Sequence, residues 1–355
     1  MPGGAPLVDV HHLGLGETGN ETWSRNVVRV LEADGGPKVE YAATELGRDE
    51  LPADRFHLVG GSSARRLVVE LPRLVRSLRS SAVLAQYTLP LVRVPGVVVV
   101  HDVSFVEPAS RAWIPPRSRA RYQLTIGTSI RRARVVVVPT DYTRQQLLAH
   151  YRLDPERVLL APLALDPDLA ASLDVPRTPY DVPTVLCVGT LLPRKNLPVV
   201  AEAVARLRRQ GSEVRLRLVG PVRPAGEADL QRMTGLLGDA VDVVGPVSPQ
   251  QLVREYASAS VLAYPSLHEG FGLPLLEGMA AGIPVVSSSA TCLPEVAGDA
   301  AALVAPDDVA GWAAALQDAL ERPDLRAVQA QARVRRFSWE ATGAVVRTAL
   351  ERAAG

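Results

Sequence analysis

The stretch Val185-Leu-Cys-Val-Gly-Thr-Leu-Leu-Pro-Arg-Lys-Asn196 joins a short, unbroken apolar run to a segment of helical period. In that segment Val200, Ala203, Val204 and Leu207 recur at three- and four-residue spacing, while Arg206, Arg208 and Arg209 face elsewhere. The spacing predicts an amphipathic helix. The run before it reads as a strand buried on both faces, since such strands are continuously apolar rather than alternating. Residues 97–100, 135–138 and 284–286 repeat the run, and helical patterns occupy 22–33, 117–131, 142–150, 249–257 and 274–281. Alternation of this kind predicts an α/β protein of parallel sheets with right-handed crossovers. Ligands of such sheets bind at the carboxyl ends of the strands, so the loops that follow the apolar runs are where chemistry is expected.

A chain of 355 residues has room for two such domains. With 47% hydrophobic and 22% charged residues it can bury two cores. A formal net charge of +1 argues against a nucleic-acid partner, which calls for a broad positive field. Cys187 and Cys292, the two cysteines, sit in apolar runs and predict neither a disulfide framework nor a thiolate metal site. Lys38 and Lys195 are the only lysines among 39 basic residues, a bias that codon usage in a GC-rich genome explains. The start Met-Pro-Gly-Gly lacks the basic and apolar regions of a signal peptide. No run reaches the roughly 18 apolar residues of a membrane span. A soluble, cytoplasmic protein is expected. Seven arginines from Arg111 to Arg134 leave open a peripheral contact with the inner face of a membrane, although a solvated helix face accounts for them as well.

The segment 166–183, rich in proline and aspartate, predicts a linker with no regular element. It separates residues 1–165 from 184–335, and a cleft between the two domains is the expected ligand site. The tail from Asp307 reads as helical, with breaks near Pro323 and Phe337; residues 336–355 are expected to form a helix that packs back on the first domain.

The richest string is Tyr264-Pro-Ser-Leu-His-Glu-Gly-Phe-Gly-Leu-Pro-Leu-Leu-Glu-Gly278. A strand over 261–264 leads into a glycine loop, and Pro274 marks the first turn of a helix. Gly270 and Gly272 let the backbone approach a ligand, and the amides of the helix start point outward. Glu269 on the loop and Glu277 on the first turn are placed to hold neighbouring hydroxyls of a ribose or a sugar. After the strand at 185–188, Gly189 permits a sharp exit, and Arg194 and Lys195 stand just before a helix. Two cations at a helix N-terminus form a diphosphate site through charge, donors and dipole together.

In the first half, His101-Asp102 closes the run at 97–100, where a histidine can touch substrate hydroxyls or relay a proton. Gly14-Leu-Gly16-Glu-Thr-Gly19 precedes the first helix and looks like a phosphate-cradling loop, yet it fits neither the dinucleotide fingerprint nor the P-loop. Asp166-Pro-Asp168 matches an acidic metal pair but reads as linker. No serine sits on a glycine-flanked elbow. His11 and His12 would point to opposite faces of a strand, which makes them a poor metal pair.

The strings Gly-Thr-Leu-Leu-Pro-Arg-Lys-Asn, Pro-Ser-Leu-His-Glu-Gly-Phe-Gly-Leu-Pro-Leu-Leu-Glu and Leu293-Pro-Glu-Val-Ala-Gly-Asp-Ala-Ala resemble the retaining, nucleotide-sugar-dependent glycosyltransferases of family 4. The match is densest over 185–308 and thins over the first half. The resemblance implies the GT-B architecture, two Rossmann-like domains facing across a cleft. It implies that Arg194 and Lys195 hold the donor diphosphate, with Gly189 and Thr190 beside them, and that Glu277 grips the ribose and Glu269 the transferred sugar. Backbone around Gly270, Phe271, Gly272 and Leu273 would contact sugar and phosphate. Gly16 would approach the diphosphate from the other domain, and His101 the reacting face of the sugar. It further implies retention at the anomeric carbon, no metal and no cofactor beyond the nucleotide-diphospho-sugar, with GDP-mannose marginally favoured. The acceptor, whether glycan, lipid or small molecule, carries no signature. One departure is Leu163-Ala-Leu-Asp166, where family members usually have an asparagine–glycine turn. A nucleotide-sugar epimerase on the same plan and a non-catalytic nucleotide-sugar-binding protein are the competing readings.

Overall fold

The computed structural model describes residues 3–16, 18–33 and 38–355, so Met1 and Pro2 of the amino terminus and Glu17 of the glycine loop lie outside the described residues. The chain forms two compact units, Met1–Leu163 with Ser338–Gly355, and Ala164–Phe337.

The first unit holds seven parallel strands: β1 (Leu7–Asp9), β2 (Glu40–Ala43), β3 (Phe56–Leu58), β4 (Val83–Gln86), β5 (Gly96–Val99), β6 (Val135–Val138) and β7 (Val158–Leu160). Their order is β3-β2-β1-β4-β5-β6-β7. Helix α1 (Thr18–Glu32) carries the chain from β1 to β2. A short helix α2 (Ser63–Arg65), a π turn (Arg66–Glu70) and α3 (Leu71–Leu78) lead from β3 to β4. Helices α4 (Pro116–Arg132) and α5 (Asp141–Tyr151) connect β5 to β6 and β6 to β7. The valine runs of β5 and β6 are fully buried, with Leu71, Val75, Ile126 and Ile130 packed on them.

The second unit begins with α6 (Pro167–Leu173), inside the segment expected to carry no regular element. The correction has a local cause. The Asp166 carboxylate accepts from the amides of Asp168 and Leu169 at 3.0 and 3.3 Å, and Pro167 occupies the first turn, so the residues taken as linker supply a helix cap. Residues after α6 are also held: Thr178 and Tyr180 donate their amides to Ala257 and Ser258, each at 3.1 Å.

Six parallel strands follow: β8 (Thr184–Val188), β9 (Arg215–Val219), β10 (Val241–Gly245), β11 (Val261–Tyr264), β12 (Val285–Ser288) and β13 (Ala302–Val304), in the order β10-β9-β8-β11-β12-β13. The crossovers are α7 (Leu197–Arg209), α8 (Glu227–Leu237), α9 (Pro249–Ser258), α10 (Leu273–Ala280) and α11 (Leu293–Ala297). Helices α12 (Val309–Glu321) and α13 (Ala327–Val334) close this unit, and α14 (Trp339–Ala354) belongs to the first. There α14 packs on α1 and on β5, β6 and β7. Arg347 donates to the carbonyl of Val30 at 2.7 Å, and a Cβ at Gly343 would lie 2.6 Å from Val30. Among the described residues no helix is long and apolar enough to cross a membrane.

In each sheet the winding direction reverses beside the first strand, between β1 and β4 and between β8 and β11. Connections on either side of such a reversal leave in opposite directions, which opens a crevice at the carboxyl ends of the strands.

Candidate functional site

The loops after β8 and β11 meet at the reversal point of the second sheet. Gly189 leaves β8 at φ 134, where a side chain would be strained, and donates its amide to Val219 at 2.9 Å. The turn Pro193–Lys195 ends on Asn196 at φ 53, a left-handed conformation that asparagine tolerates. The Asn196 side-chain amide donates to the carbonyls of Pro265 and Pro306 at 3.3 and 2.7 Å. Leu267 donates its amide to the carbonyl of Arg194 at 2.8 Å, and the Arg194 guanidinium donates to the carbonyl of His268 at 3.0 Å. The two loops are thereby stitched into one rigid piece.

On that piece the charged side chains converge. Glu269 Oε1 accepts from Arg194 Nη1 at 2.8 Å and from Lys195 Nζ at 2.7 Å. Lys195 Nζ also donates to the Tyr264 hydroxyl at 2.9 Å and lies 4.7 Å from the centre of that ring. Burial pushes the Glu269 carboxyl up, but the Arg194 and Lys195 charges outweigh it and hold the group well below the usual carboxylate range. Burial lowers the Lys195 ammonium, against the pull of Glu269. Adjacent on α10, Glu277 Oε2 accepts from the Tyr256 hydroxyl at 2.6 Å. Burial raises its carboxyl, with the negative Asp166 adding to the rise against the Tyr256 bond and the Lys195 charge. Glu277 is in the second turn of α10, not the first as expected, because the helix starts at Leu273.

The expected backbone ligands cluster beside these groups. Gly272 takes φ 98 as the N-cap of α10, and a Cβ there would come 2.9 Å from Leu293. Leu273 is the first residue of the helix, so its amide has no helical partner one turn back; Pro274 has no N–H, and the Leu275 amide donates to the Gly272 carbonyl at 3.0 Å. Phe271 is buried edge-on to Phe337 at 5.4 Å between ring centres, and Cys292 Sγ lies 3.1 Å from the Glu269 carbonyl. Gly270 is buried and Thr190 half-buried at this end of the sheet.

Gly16 and His101 belong to the first unit. His101 Nε2 pairs with Gln86 Oε1 at 2.7 Å, and its ring stands edge-on to Trp23 and Tyr87. Burial pushes it down to about 4, so the imidazole is neutral at pH 7. The glycine loop departs from a free phosphate cradle: the Glu21 carboxylate accepts from the amides of Gly14 and Gly16 at 3.3 and 2.7 Å. His11 and His12 also depart from expectation. Strand β1 ends at Asp9, and in the turn beyond it the two rings lie 3.9 Å apart.

Tyr256, Tyr264 and Gln86 were given no role from the sequence and Asp166 was read as linker, although each now orients or perturbs a site side chain. Tyr264 was within reach, since it opens the richest string; the other three come from elsewhere in the chain and only folding brings them in.

Two family descriptions match the chain, Glycosyl transferases group 1 over residues 182–322 and Glycosyltransferase Family 4 over residues 25–169. Among relatives, the chain is similar to O-antigen chain mannosyltransferase B of Escherichia coli, 29% identical over 306 residues, with 77% of each chain covered. It is also similar to MMP alpha-(1->4)-mannosyltransferase of Mycolicibacterium hassiacum, 31% identical over 281 residues, covering 76% of this chain and 67% of the relative. A solved structure of HepE from Anabaena, in complex with UDP and glucose, superposes with a TM-score of 0.71 at 17% identity, covering 98% of this chain and 99% of that one.

Proposed function

The chain belongs to the glycosyltransferases of group 1 and family 4, with the GT-B fold, and from that premise we propose that it moves a hexose from a nucleoside-diphospho-sugar to an acceptor hydroxyl. The proposed donor is GDP-mannose, in keeping with the mannosyltransferases among its relatives. Retention at the anomeric carbon and independence of a metal are part of the same proposal. The observation that carries it is the convergence of Arg194 and Lys195 on Glu269 at the reversal point of the second sheet. In the free site one carboxylate answers two cations. A diphosphate offers them more negative charge and more oxygens, which leaves Glu269 to accept hydrogen bonds from the sugar.

During transfer the cations and the Leu273 amide at the start of α10 would stabilise the departing diphosphate, where negative charge develops. The acceptor hydroxyl attacks from the face the diphosphate leaves and gives its proton to a departing phosphate oxygen. No carboxylate has to form a covalent intermediate: Glu269 is held by two cations, and Glu277 is proposed to accept from the ribose hydroxyls.

The test is incubation of the purified protein with a panel of nucleotide sugars and candidate acceptors, with and without a chelator. Release of the nucleoside diphosphate with an axially linked product supports the reading. An isomerised donor, or binding without turnover, would overturn it.

We propose in addition that the first unit touches an anionic membrane surface peripherally, from the cytoplasmic side. Residues 71–140 carry eleven arginines against two acids, Asp102 and Glu107. Both acids are engaged inside the unit, Asp102 by Ser104 and Glu107 by the Tyr142 hydroxyl. Codon usage explains arginine in place of lysine but not the scarcity of acids.

A further inference from the structure

A cavity of about 690 Å³ lies in the first unit between the end of α3, the end of α4 and the connection from β4 to β5. Ser80 precedes β4 and Arg93 precedes β5, so it opens at the amino ends of these strands, the end of the sheet opposite His101. Arg76, Arg79, Arg93 and Arg132 line it, and no carboxylate does. Among the described residues the guanidinium groups of Arg76, Arg79 and Arg93 have neither a carboxylate nor a hydrogen-bond partner. Arg76 and Arg132 stand in last turns of helices, where cations answer the helix dipole. That account does not reach Arg93, which is on no helix. Arg132 Nη2 donates to the carbonyls of Pro90 and Val92 at 3.2 and 3.1 Å, which fixes the loop that presents Arg93. Arg79 holds the left-handed cap of α3 at φ 52, a place where glycine is the ordinary residue. The independent observation is Ser80. It lines the same cavity, is only 9% exposed, and its buried hydroxyl has no hydrogen-bond partner among the described residues. A buried hydroxyl left unpaired beside three unpaired cations costs stability unless an anion completes the set.

We infer that this cavity is a binding site for a phosphate monoester, its dianion held by Arg76, Arg79 and Arg93 and accepting a hydrogen bond from the Ser80 hydroxyl. Guanidinium forks match pairs of phosphate oxygens, and a monoester offers three terminal oxygens where a diester offers two. Leu91, exposed beside the arginines, gives the organic part of the ester an apolar contact. The inference is independent of glycosyl transfer, which uses the other end of the strands. It also goes beyond a diffuse attraction to anionic lipid, because a positive face responds to charge alone whereas a cavity selects the terminal phosphate. The monoester is a free metabolite or the headgroup of a lipid, and the two sources are separable by experiment.

Calorimetric titration of the full chain with glycerol 3-phosphate and with dimethyl phosphate, a diester of single charge, tests this. Glycerol 3-phosphate should bind at least about tenfold more tightly. Arg79→Gln and Arg93→Gln, both at exposed positions that leave the core intact, should each weaken it at least about fivefold, and Ser80→Ala by a smaller factor. Lys195→Ala, which removes a cation of the second unit, should leave this binding unchanged. Equal affinity for the two phosphates overturns the inference. So does binding that survives Arg79→Gln and Arg93→Gln but is lost in Lys195→Ala, since the phosphate would then occupy the second unit. Sedimentation with phosphatidylcholine vesicles containing either phosphatidate or phosphatidylglycerol identifies the source. A preference for phosphatidate that disappears in Arg93→Gln assigns the monoester to a lipid, and glycerol 3-phosphate binding without that preference assigns it to a free metabolite. Failure of the membrane reading would instead appear as no sedimentation with either vesicle while glycerol 3-phosphate still binds.

Discussion

Lys195 is a buried cation whose partners are a carboxylate and a phenol, so its removal is expected to do more than delete a charge. Lys195→Ala should weaken nucleoside-diphosphate binding by about 1.5–3 kcal/mol, the range for a charge-assisted contact, as measured by titration calorimetry. Glu269→Gln should act differently. With the competing carboxylate gone, Arg194 and Lys195 are freer for phosphate, so nucleoside-diphosphate affinity should hold or rise. Turnover should fall by at least about tenfold through loss of the proposed sugar contact; a parallel loss of both would remove Glu269 from that role. His101 ties the first unit to pH. Its folded value near 4 lies below its ordinary 6.5, so between those limits the unfolded chain binds the extra proton. The associated stability is fully present above pH 6.5 and is lost as pH falls toward 4, by up to about 3 kcal/mol. Denaturant unfolding across that window should show the decline, and in His101→Gln the decline should be shallower by that amount.

At the level of elements, the site is made by helix starts and loop exits rather than by helix faces. Helix α6 begins on the Asp166 cap, and α6 packs on α9 and α10, which carry Tyr256 and Glu277. Asp166→Ala should therefore cost about 1 kcal/mol in thermal unfolding, a typical cap loss. It should also lower the Glu277 carboxyl toward the ordinary range, because a negative neighbour is removed. Gly272→Ala strains the start of α10 at φ 98 and pushes a methyl toward Leu293. A stability loss of about 1–2 kcal/mol is expected, together with weaker diphosphate binding as the amides shift.

Over the whole molecule the near-neutral charge conceals a strongly cationic segment. If residues 71–140 dock on a membrane, the protein should co-sediment with vesicles containing anionic lipid and not with purely zwitterionic ones, and binding should weaken as salt rises. Arg76, Arg79 and Arg93 are exposed and lie outside the proposed donor site. Their joint replacement by glutamine should abolish sedimentation while leaving turnover of a soluble acceptor intact. Much of this molecule is legible along the chain. Apolar runs and helical periods are local properties, because a strand buried on both faces must be apolar throughout and a helix must show its core one stripe. The same locality makes the basic doublet, Glu269 and the glycine loop readable, since each follows directly from a strand. What the chain order hides is pairing at a distance. That Glu269 neutralises both cations and that Asp166 bears on Glu277 depend on which loops the reversed winding brings together. Burial and Coulomb interaction act through space, so only the folded chain decides which charges meet.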